Sequence, residues 1–499
     1  MMQLTDRMYW DKLKKKAEST TSQNRELIKS SGSLLQVSTI RLDYSSQQVD
    51  DQVLELLFEL AKECELKKNI EDLLSGALVN TTENKPALHI ALRTSNEDPI
   101  RVLGHNIIPS ILNARERMRH LSDKIRNKEW FGYSGKPITD VVNIGIGGSK
   151  LGPLFCISAL ADFSTDQLKF HFISDFDPKE FKRLTAALCP ETTLFIVASK
   201  SFTTLETLYN TKQALAWIGQ PQHNDKHFIA VTADRGRAED FGITEVLPIW
   251  EWVGGRFSSC SAINLITCIA IGYEQFSEML IGAEIMDNHF YSADLETNLP
   301  VLLALLGIWN INFLGINNLL ILTYADDLNQ LVPYLQQLDM ESNGKSIDKQ
   351  GHPILYSTGP IVWGGSGNQA QHSYYQLLCQ GTHKIAADFI SSDVLNDQDT
   401  NKVCGAQKAV LTQGVFEEDN PYSTIIGAIP INHISLRECN PKSIGSLIAL
   451  YEHKIFIQSI IWNINPFDQP GVESSKRLMN TSQHWQHAAS RNDTSFKAI

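Results

Sequence analysis

The sequence predicts an α/β protein with two α/β/α layers, each built on a sheet of mostly parallel strands. From about Asp140, short runs of β-branched and apolar residues alternate with longer amphipathic segments, and the same texture returns after a long helical section. Strands that alternate with helices are typical of a parallel sheet covered by helices on both faces. A chain of 499 residues is long enough for two or three such domains.

Individual segments carry this pattern in both layers. In the first layer, the expected strands are Val141–Ile146, Phe170–Ser174, Thr193–Ala198 and His227–Thr232. The helices expected between them are Leu151–Leu160, Pro178–Ala187 and Leu205–Ile218. In the second layer, the expected strands are Leu319–Thr323, Ile361–Trp363, His383–Ile390 and Ser423–Ile429.

We expect four regions along the chain, although no Pro/Gly/Ser linker separates the two layers. Apolar residues at helical spacing in Val53–Cys64 and Ile70–Leu78 predict that the N-terminal region is mostly helical. The expected regions are a helical segment at 1–100 packed on the second domain, α/β domains at 101–275 and 276–450, and a C-terminal helix and tail at 451–499.

One long apolar stretch, Val301–Leu322, is the best candidate for a membrane span. Asn310, Asn312 and other polar or small residues interrupt it. We therefore interpret it as a buried helix, a tight turn and a buried strand at Asn318–Thr323.

Composition indicates a cytoplasmic globular protein. The net charge of −12 argues against binding to nucleic acid or to anionic membranes. The eight cysteines form no CxxC pair, which favours reduced thiols over a metal cluster or a disulfide framework. The segment Met1–Lys16 lacks the apolar core of a secretory signal.

A glycine run, Asn143–Ser149 (NIGIGGS), follows the first predicted strand and precedes a helix. Glycines let the backbone approach a ligand closely, and a helix N-terminus attracts an anion. A dinucleotide site with Asp175 as its acidic residue is a rival interpretation, but Lys150 stands where the third glycine of G-x-G-x-x-G belongs. A simple tight turn fits the run as well as a phosphate site does.

Hydroxyl side chains crowd the next strand–helix junction, Ala198–Thr207 (ASKSFTTLET). Hydroxyls and free backbone N–H groups at such a junction favour phosphate binding, whereas a helix cap alone needs one hydroxyl. Downstream, Arg256 follows two glycines in Trp252–Ser258 (WVGGRFS). Its guanidinium can neutralise developing negative charge, and a structural ion pair is the alternative.

Two acid–base candidates lie in the second layer. Glu341 stands between Met340 and a Ser-Asn-Gly turn, where a carboxylate at the edge of a buried site can act as a base. His372 ends the glycine-rich loop Gly364–His372 near the start of a helix, which makes it available for proton transfer. The alternatives are a glutamate that faces water and a capping or core histidine.

The segment Phe467–Lys476 (FDQPGVESSK) predicts the start of a C-terminal helix. Pro470 suits the first helical position, where its missing N–H is not needed. Gln469 and Lys476 are then two turns apart on one face, so both can reach a single polar ligand.

Taken together, these segments resemble the glucose-6-phosphate isomerase family, in the family's order and over roughly Lys85–Lys476. Ala283–Phe290, Pro300–Trp309 and Leu450–Phe456 are further similar stretches. The resemblance implies two sugar-isomerase-type domains, a homodimer with shared active sites, and interconversion of glucose 6-phosphate and fructose 6-phosphate. It implies no metal, nucleotide or other cofactor.

The resemblance also implies residue roles. Glu341 would move a proton between C2 and C1, and Arg256 would stabilise the enediolate. His372 of the partner subunit would open the sugar ring together with Lys476. The implied substrate-binding residues are Gly148, Ser149, Ser199, Lys200, Ser201, Thr204, Glu206, Gln337 and Gln469.

The chain departs from the family pattern at a few positions. The loop Trp363–His372 (WGGSGNQAQH) keeps its final Gln-His but lacks the usual acidic residue, and Lys150 replaces an acidic residue beside Ser149. Because the proposed base is Glu341, outside this loop, we expect these changes to alter affinity or dimer packing and not the reaction.

A non-catalytic phosphosugar-binding regulator built on the same domains is the alternative from another functional class. Such a protein would keep the phosphate-binding hydroxyls but lose Glu341, Arg256 or His372. All three are present, which favours the enzyme.

Overall fold

The computed structural model describes residues 4–21, 33–393 and 398–481. Its strands are β1 (Leu34–Val37), β2 (Ile40–Ser46), β3 (Arg101–Val102), β4 (His105–Asn106), β5 (Asp140–Ile144), β6 (Lys169–Ile173), β7 (Thr193–Ala198), β8 (Phe228–Thr232), β9 (Val246–Pro248), β10 (Asn318–Thr323), β11 (Ile361–Ser366), β12 (Ala386–Ser392) and β13 (Ile431–Leu436).

From β5 onward, at least one α-helix separates each pair of consecutive strands. The α-helices are α1 (Met8–Thr21), α2 (Asp51–Glu63), α3 (Leu66–Ser75), α4 (Ile108–Arg126), α5 (Gly148–Ala159), α6 (Pro178–Thr185), α7 (Leu205–Ile218), α8 (Asn224–His227), α9 (Arg235–Asp240), α10 (Leu265–Ile271), α11 (Tyr273–Ser292), α12 (Leu299–Ile308), α13 (Leu331–Leu335), α14 (Gly367–Ala370), α15 (Tyr375–Gln380), α16 (Gln398–Gln413), α17 (Pro441–Ile461) and α18 (Pro470–Thr481).

The first sheet has five parallel strands in the order β6-β5-β7-β8-β9. Side chains of β5 point alternately to its two faces. Val141 packs in the same core as Phe155 of α5, whereas Val142 packs in a separate core with Ala214 of α7. Helices therefore cover both faces of the sheet, which confirms the predicted α/β class.

The strand order reverses between β5 and β7, which are direct neighbours with Ile144 opposite Val197. In an open parallel sheet, the crevice outside the carboxyl ends of the strands at such a reversal is where ligands bind. The glycine run follows β5 and the hydroxyl-rich segment follows β7, so both leave the sheet at this crevice.

The second sheet has six strands in the order β1-β2-β13-β12-β10-β11. β11, β10, β12 and β13 are parallel to one another, and the β1–β2 hairpin continues the sheet in antiparallel register. The prediction of a mostly helical segment at 1–100 is therefore wrong in this part. The short β1 has no fully buried residue, so its sequence lacks the clear alternation of apolar and polar residues that marks a strand.

The predicted strand at Ser423–Ile429 is also wrong. The fourth parallel strand is β13, and Ser423 lies in a short 3₁₀ turn before it. Two polar residues, Asn432 and His433, interrupt the apolar pattern of β13, so the sequence gives no continuous apolar run there. The Asn432 amide is tolerated in the interior because it donates a hydrogen bond of 2.8 Å to the Asp388 carboxylate on β12.

The long helix α17 forms the centre of the second half of the protein. It is the one helix among the described residues that is long and apolar enough to cross a membrane, and its apolar stretch is entirely buried within the protein. It packs closely on α11 through Gly282 and Gly445. A Cβ at either glycine would collide with the backbone of the facing helix. The other apolar stretch, Val301–Leu322, is buried helix, turn and strand, as predicted.

Candidate active site

The glycine run places a helix N-terminus at the crevice between β5 and β7. Gly147 has a φ of +58°, which favours glycine, and α5 begins at the next residue, Gly148. Ser149 lies in the first turn of α5, where backbone N–H groups have no helical partner and carry positive potential. This end of the crevice can bind an anion.

The second loop brings the hydroxyl cluster to the same crevice. The Ser199 hydroxyl donates to Thr204 Oγ1 at 3.4 Å, and Ser201 and Thr203 share a hydrogen bond of 2.7 Å. Thr204 directly precedes α7, so a second helix N-terminus lies here. Phe202 adopts a φ of +50° with its ring buried, which turns the loop sharply between the hydroxyl side chains.

Lys200 links this loop to the Arg256 segment. Its Nζ donates to the Val253 carbonyl at 3.2 Å and lies 3.9 Å from the Glu251 carboxylate. Burial lowers the pKa of Lys200. A phosphate bound beside it would oppose this effect, because a nearby negative charge favours the charged form of the amine.

The start of α5 is packed against the Arg256 segment. A Cβ at Gly148 would overlap the carbonyl oxygen of Gly255 and crowd the backbone N of Arg256. A Cβ at Gly147 would lie 3.0 Å from the Gln337 side-chain amide. The anion-binding turn is therefore in contact with both the arginine and the segment that carries Glu341.

Arg256 is almost completely buried and is held by hydrogen bonds to the protein. Its Nε donates to the Ser342 hydroxyl at 2.7 Å and Nη1 donates to Gln469 Oε1 at 2.9 Å. Its Nη2 donates to the carbonyls of Pro466 and Asp468, the latter at 3.0 Å. Burial lowers the pKa of Arg256, and the nearby carboxylates of Glu341 and Asp468 oppose that shift.

Glu341 ends a π-helical turn, Gln336–Glu341, at the mouth of the same cleft. Such turns occur often at functional sites. Gln337 Nε2 donates to Glu341 Oε2 at 2.9 Å, and Arg256 Nη1 lies 3.4 Å from the same oxygen. The Glu341 side chain is 22% exposed whereas that of Arg256 is 2% exposed, so the carboxylate can meet a ligand above a fixed buried cation.

Three predicted site residues lie on elements other than those that hold Arg256 and Glu341. His372 is exposed, between α14 and α15. Lys476 is 61% exposed on α18, with its Nζ 3.7 Å from the Glu473 carboxylate. Glu206 is half-buried in the first turn of α7. The helix predicted from Pro470 is present, and the predicted tail beyond residue 481 lies outside the described residues.

The loop that lacks the usual acidic residue is held by other groups. Gln407 Nε2 donates to the Gly367 carbonyl at 3.2 Å and to Gln371 Oε1 at 2.8 Å. Tyr324 in turn donates its hydroxyl hydrogen to Gln407 Oε1 at 2.6 Å. A buried amide therefore fixes the residue directly before His372.

Sequence reasoning missed Ser342, Lys345 and Asp468. Lys345 Nζ donates to the carbonyls of Glu341, Ser342 and Asp468 at 3.0, 2.8 and 3.0 Å. All three residues lie within the segments that carry Glu341 and Gln469. The signal that could have found Lys345 is its place just after the helix end that carries Glu341, where a lysine can bind the last carbonyls.

Within residues 4–21, 33–393 and 398–481, no group of three His, Cys, Asp or Glu side chains is arranged to hold a metal ion. Charged groups of the site include Arg256, Glu341 and Lys200. Lys200 and Arg256 can serve as cations for a phosphate and an oxyanion, and Glu341 is a carboxylate available for proton transfer.

Comparison with known proteins gives a consistent result. The family described as phosphoglucose isomerase matches residues 43–498. Glucose-6-phosphate isomerase of Legionella pneumophila (strain Lens) is 53% identical over 478 residues, which cover 95% of this chain and 96% of the relative. Glucose-6-phosphate isomerase of Hahella chejuensis is 42% identical over 482 residues, covering 90% and 86%.

A solved structure agrees with these relatives. The crystal structure of a glucose-6-phosphate isomerase from Chlamydia trachomatis D/UW-3/Cx superposes with a TM-score of 0.87 at 31% identity, covering 97% of each chain. The family match spans most of the sequence, and the relatives are matched over nearly their whole length. The chain therefore belongs to the phosphoglucose isomerase family.

Proposed function

We propose that this chain interconverts glucose 6-phosphate and fructose 6-phosphate, with Glu341 as the base that moves the proton. The observation that carries this proposal is the geometry around one carboxylate. Glu341 Oε2 is bound by Gln337 at 2.9 Å and lies 3.4 Å from Arg256, while the side chain stays accessible from the cleft. Both donors bind Oε2, so Oε1 is the oxygen available to a substrate.

The phosphate of the sugar binds in the crevice between β5 and β7. Two helix N-termini and the hydroxyl cluster meet there, and dianionic phosphate suits that potential. The groups proposed to contact it are Gly148, Ser149, Ser199, Lys200, Ser201 and Thr204. Binding at this remote group positions the reacting carbons without taking part in the chemistry.

Isomerisation then proceeds by proton transfer on the open-chain sugar. Glu341 removes the proton from C2 of the aldose, and the electron pair forms the C1–C2 double bond as the C1 carbonyl oxygen becomes negative. The hydroxyl proton on O2 passes to the negative O1, and the same carbon-bound proton returns to C1, which leaves a ketone at C2 and a hydroxyl at C1. One carboxylate that reaches both carbons suffices, and no external oxidant or reductant is needed.

Arg256 stabilises the enediolate through its Nη1 side. Nε and Nη2 are bound to Ser342 and to two backbone carbonyls, whereas Nη1 faces Gln469 and Glu341, which are themselves proposed substrate contacts. Because protein groups already fix the guanidinium, no reorganisation is needed when the oxyanion forms. Gln337 and Gln469 hold sugar hydroxyls.

Ring opening requires acid–base groups in addition to Glu341. We assign it to Lys476 and to a His372 supplied by a second copy of the chain, which makes the active form a homodimer. The exposure of the His372 side chain on its own subunit supports this assignment. Glu206 supports the open-chain sugar, and the protein acts in the cytoplasm without metal or nucleotide.

The proposal is tested by following glucose 6-phosphate formation from fructose 6-phosphate, with no metal or nucleotide added to the isomerase step. Turnover that is proportional to enzyme concentration supports it. Saturable binding of fructose 6-phosphate without turnover would instead support the phosphosugar-binding regulator.

A further inference from the structure

Lys345 is a buried cation that none of the roles above uses. Its side chain is 12% exposed and lies directly after the helical segment that ends with Glu341, Ser342 and Asn343. The ammonium turns back onto this segment and donates to the carbonyls of Glu341 at 3.0 Å and Ser342 at 2.8 Å. Carbonyls at a helix end have no helical partner, so a lysine there completes their hydrogen bonding.

The same ammonium also binds a part of the site that is distant in sequence. It donates to the Asp468 carbonyl at 3.0 Å and lies 3.3 Å from Asp468 Oδ1. Arg256 Nη2 donates to that same carbonyl at 3.0 Å, so two cations flank a single oxygen. The next residue, Gln469, accepts a hydrogen bond from Arg256 Nη1.

These contacts close a ring of groups around the reacting position. Arg256 binds Ser342 by its hydroxyl and Gln469 by its side chain, and Lys345 binds Ser342 and Asp468 by their carbonyls. The backbone of Glu341 is attached to this ring through the Lys345 ammonium. Helix capping alone would not require the contacts to Asp468.

We propose that Lys345 is a positioning residue for the isomerase, whose positive charge holds the Glu341 backbone against the Asp468–Gln469 segment and thereby sets the distance from the base to the substrate. This inference rests on the proposed function, because it concerns the geometry of the same proton transfer. Small displacements of a reacting group lower turnover strongly, by as much as about 100-fold per ångström.

The environment of Lys345 gives this role a pH dependence. Burial lowers the pKa of Lys345 to about 8, the Arg256 charge lowers it as well, and the carboxylates of Asp468 and Glu341 oppose both effects. A neutral amine has one N–H fewer than an ammonium and no charge, so it holds the carbonyls less firmly. We expect kcat to fall as the pH rises through about 8.

Stability changes in the opposite direction. In the unfolded chain Lys345 has its ordinary pKa of 10.5. Between about pH 8 and pH 10.5, the unfolded chain therefore binds a proton that the folded chain does not. Stability rises with pH wherever the unfolded state binds more protons. The contribution of Lys345 to stability therefore increases with pH over the range in which kcat falls, which separates positioning from unfolding.

The test compares Lys345→Met with Lys349→Met. Burial also lowers the pKa of Lys349 to about 8, so it titrates in the same range and is a matched control. For each folded protein, kcat and KM for fructose 6-phosphate are measured from pH 6.5 to 9.5 in quenched aliquots, with glucose 6-phosphate determined afterwards at one pH. Thermal unfolding at each pH verifies the fold.

We expect Lys345→Met to lower kcat at pH 7 by about tenfold or more with KM changed by less than about threefold. Its kcat should no longer fall near pH 8, whereas Lys349→Met should keep the wild-type profile. A folded Lys345→Met with wild-type kcat, or with the alkaline decline intact, would overturn the proposal. If wild-type protein has no turnover at all, the proposed function fails first.

A second variant decides the matter if Lys345→Met does not fold. Asp468→Asn keeps the backbone carbonyl but removes the carboxylate that opposes the lowered pKa of Lys345. The alkaline decline should therefore move to lower pH in Asp468→Asn. A decline at the wild-type pH in this variant would overturn the assignment to Lys345.

Discussion

Arg256 and Glu341 approach each other through one pair of atoms, with Nη1 of the guanidinium 3.4 Å from Oε2 of the carboxylate. The remaining guanidinium nitrogens are bound to protein groups, and the arginine is 2% exposed against 22% for the glutamate. The cation is thus fixed in the interior, and the carboxylate is the member of the pair that faces the cleft. This asymmetry fits a preorganised electrostatic group beneath a base that exchanges protons.

Glu341→Gln should abolish turnover with little effect on binding of the sugar phosphate. The amide keeps the size of the side chain and can accept the hydrogen bond from Gln337, but it cannot accept a proton. Loss of a general base lowers the rate by about 100- to 10,000-fold. The measurement is exchange of the C2 hydrogen of glucose 6-phosphate with solvent deuterium, alongside kcat and the dissociation constant.

The matched control for that substitution is Glu417→Gln, at an exposed position outside the site. It should retain the wild-type exchange rate. Exchange at C2 that persists in the Glu341→Gln protein would remove this residue from the mechanism.

Gly148→Ala should disrupt the contact between the anion-binding turn and the Arg256 segment. A methyl group there would overlap the Gly255 carbonyl oxygen, so the start of α5 must move away. We expect KM to rise and kcat to fall, each by about tenfold or more, because the phosphate site and the guanidinium separate.

Gly255→Ala is the control on the other side of that contact. A Cβ at Gly255 meets no atom within 4 Å, and its φ lies outside the region that favours glycine, so this variant should have near wild-type kinetics. If kcat and KM of Gly148→Ala match those of Gly255→Ala and of the wild type, the close packing at Gly148 does not matter for catalysis.

A buried charge network that includes one residue of α17 gives a prediction about stability. Arg93 binds Asp287 through two hydrogen bonds of 2.7 Å and Glu452 through one of 2.5 Å, and all three side chains are buried. Despite the guanidinium, burial raises the pKa of Glu452 to about 7 from an ordinary value of 4.5. Between these two values the folded chain binds a proton that the unfolded chain releases.

Glu452 therefore lowers the free energy of unfolding as the pH rises from 4.5 to about 7. Glu452→Gln has no such proton. Relative to the wild type, its free energy of unfolding should therefore increase over this pH range, by on the order of 2–3 kcal/mol. Urea unfolding of both proteins at pH 5 and 7.5, at one protein concentration, measures the difference. A stability difference that is the same at both pH values would contradict the assignment.

The sequence predicted where the glycine run and the hydroxyl cluster leave the first sheet, because these markers are local. Glycines after β5 and hydroxyl residues after β7 mark the ends of strands, and parallel topology brings these strand ends to one edge. The β1–β2 hairpin was missed for the opposite reason. Its placement depends on pairing with β13, which is almost 400 residues away in sequence, as for Arg41 and Ser435 with a separation of 394.

For the proposed acid–base group, the sequence indicated which residues are candidates but not how they are arranged in space. The contact between Arg256 and Gln469 spans 213 residues, and that between Lys345 and Asp468 spans 123. Neither separation leaves a periodic signal in the sequence. The π-helical turn that orients Gln337 and Glu341 is likewise set by packing, since local propensity favours an ordinary α-helix there.

Subunit mixing tests whether the proposed sites are shared between two copies of the chain. In a two-fold dimer, His372→Ala paired with Glu341→Gln leaves one site with both groups intact and one site with neither. Random exchange of the two inactive proteins should therefore restore about a quarter of the wild-type sites. The measurement is kcat per chain, which should be about a quarter of the wild-type value in the random mixture and about half in mixed dimers purified through two different affinity tags.

The sharper comparison mixes wild-type chains with the double variant His372→Ala/Glu341→Gln. If sites are shared, every mixed dimer lacks one of the two groups at each site, so mixed dimers should be inactive. If each chain carries its own complete site, the same mixed dimers should keep one active site of the two. We expect the first result, because the exposed position of His372 on its own subunit leaves its side chain accessible to a second copy of the chain.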